Sequence, residues 1–140
     1  MYSLEQYILV EHDAKIAGKH IDLRISIPNR SMLASFAIPK GNIPQVPGTK
    51  VLMIRTHNHG RYHLYIDNMD IPDGEYGAGT IKKLEKGNVE VIGWSDKYIT
   101  LQFRNSSYFA SGRYLMVKFK GKQKRDKGQQ DLWIMMKLKK

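Results

Sequence analysis

The sequence predicts an all-β fold, a single compact β-barrel of about eight to ten short strands. Short segments rich in Ile, Val, Tyr, Phe and Leu follow one another along the chain and are separated by turns that contain Gly, Pro and Asn. No window carries an apolar stripe with helical spacing. The chain has 140 residues, the size of one domain, so a single domain over residues 1–140 is predicted.

Ten segments are predicted as strands: residues 6–11, 19–27, 33–38, 50–56, 62–66, 79–84, 88–94, 97–104, 112–119 and 131–138. Turns are predicted between them because proline lacks a backbone donor and glycine permits tight reversals. The turn sequences include Pro28-Asn29, Pro39-Lys40-Gly41-Asn42, Pro47-Gly48, Pro72-Asp73-Gly74 and Lys86-Gly87-Asn88. The basic stretch 120–130 is predicted to be a mobile loop.

The chain is strongly basic, with 23 Lys and Arg against 13 Asp and Glu and a net charge of +10. Such a field attracts polyanions, of which nucleic acid is the most abundant in a cell. The absence of cysteine excludes disulfides, thiolate zinc sites and cysteine nucleophiles. The sequence shows neither a secretion signal nor a membrane-spanning run, so a cytoplasmic, nucleoid-associated protein without membrane contact is expected.

The predicted strand 19–27 carries the sharpest pattern in the chain. Side chains alternate between the two faces of a strand, so His20, Asp22 and Arg24 share one face and a row of Ile and Leu the other. His20 and Asp22 can lean onto one ion, with Arg24 one step further out towards a bound anion. If the strand before it pairs with this one, His12 joins them in a His–His–Asp triad suited to Mn, Fe, Zn or Ni. An exposed, salt-bridged strand face is the alternative.

Blocks spread over nearly the whole chain, in order, resemble the 3′-phosphoesterase domain of bacterial DNA ligase D and its stand-alone archaeal relatives. The blocks are Ile8-Leu9-Val10-Glu11-His12, His20-Ile21-Asp22-Leu23-Arg24, Phe36-Ala37-Ile38-Pro39-Lys40-Gly41, His57, Ile71-Pro72-Asp73-Gly74-Glu75-Tyr76-Gly77-Ala78-Gly79-Thr80, Gly112-Arg113-Tyr114-Leu115-Met116-Val117 and Trp133-Ile134-Met135-Met136-Lys137.

This resemblance implies a β-barrel enzyme that trims DNA 3′ ends, with manganese preferred. It would remove a terminal ribonucleoside or a 3′-phosphate and leave a 3′-hydroxyl for a separate ligase or polymerase. A monomer acting on primer-template or break ends is expected.

The resemblance also implies roles for individual residues. His12, His20 and Asp22 would be the metal ligands, and Arg24 and His57 the catalytic residues that hold the phosphate. Further phosphate contacts would be Lys40, Lys50 and Tyr62. His59 is an alternative to His57, Tyr65 is an alternative to Tyr62, and Glu11 is a candidate for supporting a ligand.

Two other functions are consistent with the same sequence features. A His-x-Asp pair with a distant histidine also fits the facial triad of iron(II) oxygenases. A noncatalytic basic barrel could instead bind nucleic acid through Lys, Arg and stacking aromatics such as Tyr62, Tyr65, Tyr98 and Trp133.

Overall fold

The computed structural model describes residues 3–75, 77–125 and 128–139, with backbone alone over 120–125 and 128–129. Nine antiparallel strands and one short helix make up this part of the chain, so the predicted all-β class is confirmed. The strands are β1 (Ser3–Ala14), β2 (Gly18–Ser26), β3 (Met32–Ile38), β4 (Lys50–Gly60), β5 (Asn68–Ile71), β6 (Gly79–Trp94), β7 (Tyr98–Phe103), β8 (Gly112–Arg125) and β9 (Gly128–Lys137), and a 3-10 helix covers Arg61–Tyr65.

Eight of the strands form a closed barrel, in the order β1-β2-β3-β4-β9-β8-β7-β6, and β6 pairs back onto β1. The seam between β6 and β1 runs from Ser3 opposite Val91 to Ala14 opposite Gly79. A β-carbon on Gly79 would overlap the carbonyl oxygen of Asp13, so glycine permits the two backbones to meet there. Strand β5 lies outside the barrel and pairs with the beginning of β6.

The barrel wall is apolar on both sides along β1. Tyr7 and Leu9 point into the interior, which is filled by aromatic and aliphatic side chains from all eight strands. Ile8 and Val10 point outwards, where a second apolar cluster forms with Leu33, Leu64 and Ile81. The 3-10 helix contributes Leu64 to this cluster, so the outer face of β1 is covered by protein. The covering explains why residues 7–10 form a continuous apolar run instead of alternating.

One predicted strand and one predicted turn are wrong. Residues 62–66 were expected to be a strand because Tyr, Leu and Ile are common in strands, but residues 61–65 form the 3-10 helix. The predicted turn at Gly87 is also wrong, because 79–84 and 88–94 belong to one strand, β6. Gly87 is suited to this strand because a β-carbon there would lie 3.1 Å from the hydroxyl of Tyr7.

Two further differences concern short polar segments. Strand β5 was not predicted, because its sequence Asn68-Met69-Asp70-Ile71 has little of the usual strand composition. The predicted loop 120–130 is wrong over 120–125 and 128–130, which continue β8 and β9. Residues 126 and 127 of that prediction lie outside the described residues. In the described ranges, no helix has the length and apolarity needed to cross a membrane.

Candidate metal centre

The polar face of β2 lies on the outer wall of the barrel and is buried. Strand register places His12 opposite His20 and Val10 opposite Asp22, so the three polar side chains gather at one end of the β1–β2 pair. Asp22 and Arg24 are almost completely removed from solvent, and His12 is nearly so. The alternative of an exposed strand face is therefore wrong, although the ion pairing that it implies is present between Arg24 and Asp22.

The side chains of His12, His20 and Asp22 converge. His20 Nε2 lies 3.1 Å from Asp22 Oδ1, and His12 Nδ1 lies 3.6 Å from Asp22 Oδ2. One ligand-type atom from each residue lies within 4.8 Å of the others. Two nitrogens and a carboxylate oxygen at this separation are a donor set that first-row divalent metals accept.

Backbone carbonyls determine which imidazole nitrogens face the carboxylate. His12 Nε2 lies 2.7 Å from the Gly77 carbonyl oxygen, and His20 Nδ1 lies 3.3 Å from that of Gly18. Because a carbonyl only accepts, these two nitrogens carry the protons. In the neutral rings, His12 Nδ1 and His20 Nε2 therefore present lone pairs towards Asp22. Asp22 Oδ1 itself is buried and has no hydrogen-bond partner among the described residues. Acceptors that converge in this way fit a cation between them.

The pKa values agree with a site for positive charge. The hydrogen bond to Asp22 raises the pKa of His12, more than burial lowers it. Burial alone would raise the pKa of Asp22, but the His12 and His20 rings, which donate to it when they are protonated, and the charge of Arg24 hold its pKa well below the ordinary value. Asp22 is thus ionised at neutral pH, and a proton on His12 and a metal ion would compete for the same pocket.

Arg24 stands next to this cluster and is 2% exposed. Its Nη2 donates to Asp22 Oδ2 at 3.2 Å, and its Nη1 donates to His63 Nδ1 at 3.0 Å. The Nε hydrogen has no partner among the described residues. The guanidinium is therefore oriented by an acceptor on each side and keeps N–H groups to donate to an anion.

Three histidine rings and a tyrosine form a row beside Arg24. The His57 and His59 ring centroids are 4.7 Å apart, those of His59 and His63 are 4.5 Å apart, and those of His63 and Tyr62 are 4.5 Å apart. Burial and then the charge of Arg24 lower the pKa of His59 to about 3 and that of His63 to about 4. The two rings nearest Arg24 are therefore neutral at physiological pH.

The structure places the residues expected to contact phosphate in different surroundings. His57 is exposed at the outer end of the ring row, with His59 between it and His63. His63, which holds Arg24, was missed; the available signal was three histidines within seven residues, His57, His59 and His63. Tyr62 is 68% exposed and packs on His63.

Lys40 and Lys50 both line an open groove of about 560 Å³, which is formed by the β3–β4 connection and β4. This groove is separate from the row of histidine rings. No described hydrogen bond or ion pair joins either lysine to the His–His–Asp cluster. Glu11 lies 3.9 Å from Lys19 and faces partly into solvent. Tyr98 is half exposed, whereas Trp133, proposed above as a stacking residue, is 1% exposed inside the barrel and cannot stack on a base.

The glycine-rich loop before β6 completes the cluster. Lys15 pairs with Asp73, and the Lys15 amide donates to the Ala78 carbonyl at 2.8 Å, so the loop is fastened to the β1–β2 hairpin. Gly77 adopts φ +77°, and a β-carbon there would lie 3.1 Å from His12 Cε1. Glycine at this position allows the backbone to approach His12 and to present its carbonyl to the ring.

The fold and the site define a class of protein: small basic barrels that carry a His–His–Asp cluster and an arginine on the outer wall. The sequence model of the DNA Ligase D 3′-phosphoesterase domain matches residues 10–135. The chain therefore belongs to this family, and the resemblance found in the sequence is confirmed.

Individual relatives agree with this assignment. The chain is 28% identical over 127 residues to the multifunctional non-homologous end joining protein LigD of Mycolicibacterium smegmatis. It is 27% identical over 135 residues to the LigD proteins of Mycobacterium bovis and Mycobacterium tuberculosis. These alignments cover 84% and 95% of the chain but 16% of each relative, so the chain matches a small part of much longer proteins.

Proposed function

We propose that this barrel is a divalent-metal-dependent phosphoesterase that processes DNA 3′ ends. It removes a 3′-phosphate or a terminal ribonucleoside and leaves a 3′-hydroxyl. The observation that carries the proposal is the convergence of His12, His20 and Asp22 beside the buried guanidinium of Arg24. Membership of the 3′-phosphoesterase family supports the reaction, and the net charge of +10 supports a polyanionic substrate.

His12 Nδ1, His20 Nε2 and the Asp22 carboxylate are the groups that would hold the metal, and Mn²⁺ is the ion we propose. A divalent ion held by these groups would polarise the phosphate and stabilise the charge that develops on its oxygens. Gly77 and Gly18 keep the ligating nitrogens unprotonated through their carbonyls. These contacts prepare the ligand set before an ion arrives.

Arg24 supplies a second positive charge at the phosphate. Asp22 and His63 orient its guanidinium, so no reorganisation is needed when negative charge builds up on the substrate. We assign the histidine contact to His59, because its Nδ1 is buried without a partner among the described residues and its ring packs on His63, which accepts from Arg24. His57 would contact the phosphate from the exposed end of the row of rings.

The partners we propose follow from the relatives and from the chemistry. The relatives are named as non-homologous end joining proteins, which supports break ends as the substrate. A 3′-hydroxyl is what a polymerase extends and a ligase seals, so a separate enzyme of either kind would use the product. We propose that the barrel itself acts as a monomer.

The test is a labelled primer-template that ends in a 3′-phosphate or a single 3′-ribonucleotide, incubated with and without Mn²⁺. Wild type should release the 3′ group only with metal. His20→Ala should lose both Mn²⁺ binding, followed by electron paramagnetic resonance, and activity. Arg24→Ala should bind Mn²⁺ while turnover falls about a hundredfold or more. Thermal melts identify any variant that fails to fold.

A fully active His20→Ala protein without metal dependence would refute the proposal. Salt-sensitive DNA binding without end trimming by wild type would favour the noncatalytic barrel, and dependence on iron and a keto acid would favour the oxygenase.

A further inference from the structure

The 3-10 helix between β4 and β5 exposes two aromatic rings on one side. Side chains three residues apart eclipse one another in a 3-10 helix, so Tyr62 and Tyr65 point in the same direction. They are 68% and 73% exposed, whereas His63 and Leu64 of the same helix are buried against the barrel. The helix is fastened by Arg61, whose Nη1 donates to Ser26 Oγ at 2.5 Å. Two large rings are thus held outwards on a fixed support.

This aromatic pair is continuous with the proposed active site. The Tyr62 ring lies 4.5 Å from the His63 ring, and His63 Nδ1 accepts the hydrogen bond from Arg24 Nη1. A nucleotide whose phosphate lies at Arg24 would therefore have its base, or the next base, over the tyrosines. Isolated exposed aromatics need no explanation, but an exposed pair beside a phosphate site fits a ligand with flat apolar faces.

Positive charge flanks the pair on the other side. Lys86 Nζ lies 4.2 Å from the Tyr65 ring centroid. Strand register places Lys86 opposite Ile8, and Ile8 opposite Arg24, so the Lys86 and Arg24 backbones are two strands apart. At strand spacings of about 4.8 Å, this separation is about 10 Å. Two cationic residues on neighbouring parts of one barrel face, with the tyrosine rings beside them, match a strand that alternates phosphates and bases.

We propose that Tyr62 and Tyr65 form a stacking platform for unpaired nucleobases at the DNA 3′ end, with Lys86 contacting the strand's phosphate. This inference rests on the proposed function. It assigns the binding role to the aromatic rings, whereas a phosphate contact by Tyr62, as the family resemblance implies, would depend on the hydroxyl.

The test measures stacking directly, without catalysis. A single-stranded oligonucleotide with 2-aminopurine at its 3′-terminal nucleotide and a 3′-phosphate is titrated with metal-free protein at one fixed salt concentration. Wild type should quench the fluorescence of the terminal base. Tyr62→Phe/Tyr65→Phe should quench equally, because the rings remain. Tyr62→Ala/Tyr65→Ala should lose the quenching and bind roughly 5- to 150-fold more weakly. Equal melting temperatures for the three proteins are expected, since both rings are exposed.

Substrate variants complete the test. An oligonucleotide with abasic sites at the two 3′-terminal positions should bind wild type and Tyr62→Ala/Tyr65→Ala with the same Kd. A fully paired blunt end should likewise show no difference in Kd between wild type and Tyr62→Ala/Tyr65→Ala, because its terminal bases are stacked within the duplex. Equal quenching by wild type and the alanine variant would overturn the platform, and so would a phenylalanine variant that behaves like the alanine variant. Failure of wild type to release 3′-phosphate with Mn²⁺ would instead refute the proposed function, and the quenching would still report on the platform.

Discussion

His63 is a buried imidazole whose protonation state is set by its neighbours. Its Nδ1 accepts from Arg24, and burial followed by the Arg24 charge lowers its pKa to about 4 from 6.5. Between these two pH values the unfolded chain carries a proton on this histidine that the folded protein does not. Since the unfolded state binds more protons there, the free energy of unfolding falls as pH falls from 6.5 towards 4.

The variant His63→Gln tests this residue, because the glutamine oxygen can still accept from Arg24 but does not titrate. Between pH 6.5 and 4, wild type should lose about 1–3 kcal/mol more unfolding free energy than the variant. Urea unfolding of the metal-free proteins at several pH values provides the measurement. His12, whose pKa is raised and whose effect has the opposite sign, is present in both proteins and cancels in the difference. If the unfolding free energies of wild type and His63→Gln change in parallel with pH, His63 is not a neutral, buried imidazole in the folded protein.

Some of these side chains could be placed from the sequence and others could not. The two-residue period of a strand places His20, Asp22 and Arg24 on one face, and a hairpin then brings His12 beside them. These are local rules, and the structure does bring the four residues together. His63 depends on how a helix packs on the barrel wall, which no local period determines.

The glycine-rich loop, of which residues 72–75 and 77–78 are described, acts as a clamp on one ligand. Its ion pair and backbone hydrogen bond to Lys15 fix the loop, and its Gly77 carbonyl then fixes the His12 ring. Gly74 and Gly77 both have positive φ, +89° and +77°. The two positions differ in the space available for a side chain. A β-carbon at Gly74 would have no neighbour within 4 Å, whereas a β-carbon at Gly77 would lie 3.1 Å from His12 Cε1.

This difference gives a matched pair of variants. Gly74→Ala and Gly77→Ala should each lose about 1–2 kcal/mol of stability, the cost of a left-handed backbone for alanine. Only Gly77→Ala should weaken Mn²⁺ binding, by about 10- to 100-fold, since the carbonyl that orients His12 is displaced. Isothermal titration calorimetry measures the affinity, and urea unfolding the stability. Equal Mn²⁺ affinity in the two variants would show that the clamp has no part in ligand orientation.

The secondary-structure predictions are wrong at two segments whose conformation is determined by tertiary packing. Residues 61–65 contain strand-forming side chains, but Leu64 and His63 bury against the outer face of β1 and the segment coils to reach it. The turn predicted at Gly87 is wrong because the missing side chain leaves space for Tyr7 within a long strand. Both outcomes depend on a neighbour distant in sequence, which composition alone does not show.

At the scale of the whole molecule, the closed barrel determines where a site can be. An eight-stranded barrel has an interior that side chains fill, and here that interior is packed with aromatic and aliphatic residues. The polar face of β2 therefore lies outside, where Arg24 bonds to His63 of the 3-10 helix and the neighbouring His12 bonds to Gly77 of the glycine-rich loop. The proposed metal ligands lie on the outer faces of β1 and β2, and the position of β1 depends on its pairing with β6.

Closure can be tested at the glycines of β6. Gly79, at φ +142°, lies opposite Ala14, and its added β-carbon would overlap backbone atoms of Asp13 that cannot move unless the seam opens. Gly93 lies in the same strand, and its β-carbon would make an ordinary 3.8 Å contact with Tyr98. Gly79→Ala should therefore lose about 3 kcal/mol or more of unfolding free energy.

The matched variant Gly93→Ala should lose no more than about 1 kcal/mol. Urea unfolding compares the two, and amide hydrogen exchange should show faster opening of β1 and β6 in Gly79→Ala. Because His12 lies two residues before Ala14 in the strand paired at this seam, the same variant should also bind Mn²⁺ more weakly. If Gly79→Ala unfolds at the same urea concentration as Gly93→Ala, the β1–β6 seam is not what holds the outer wall, and the metal ligands, in place.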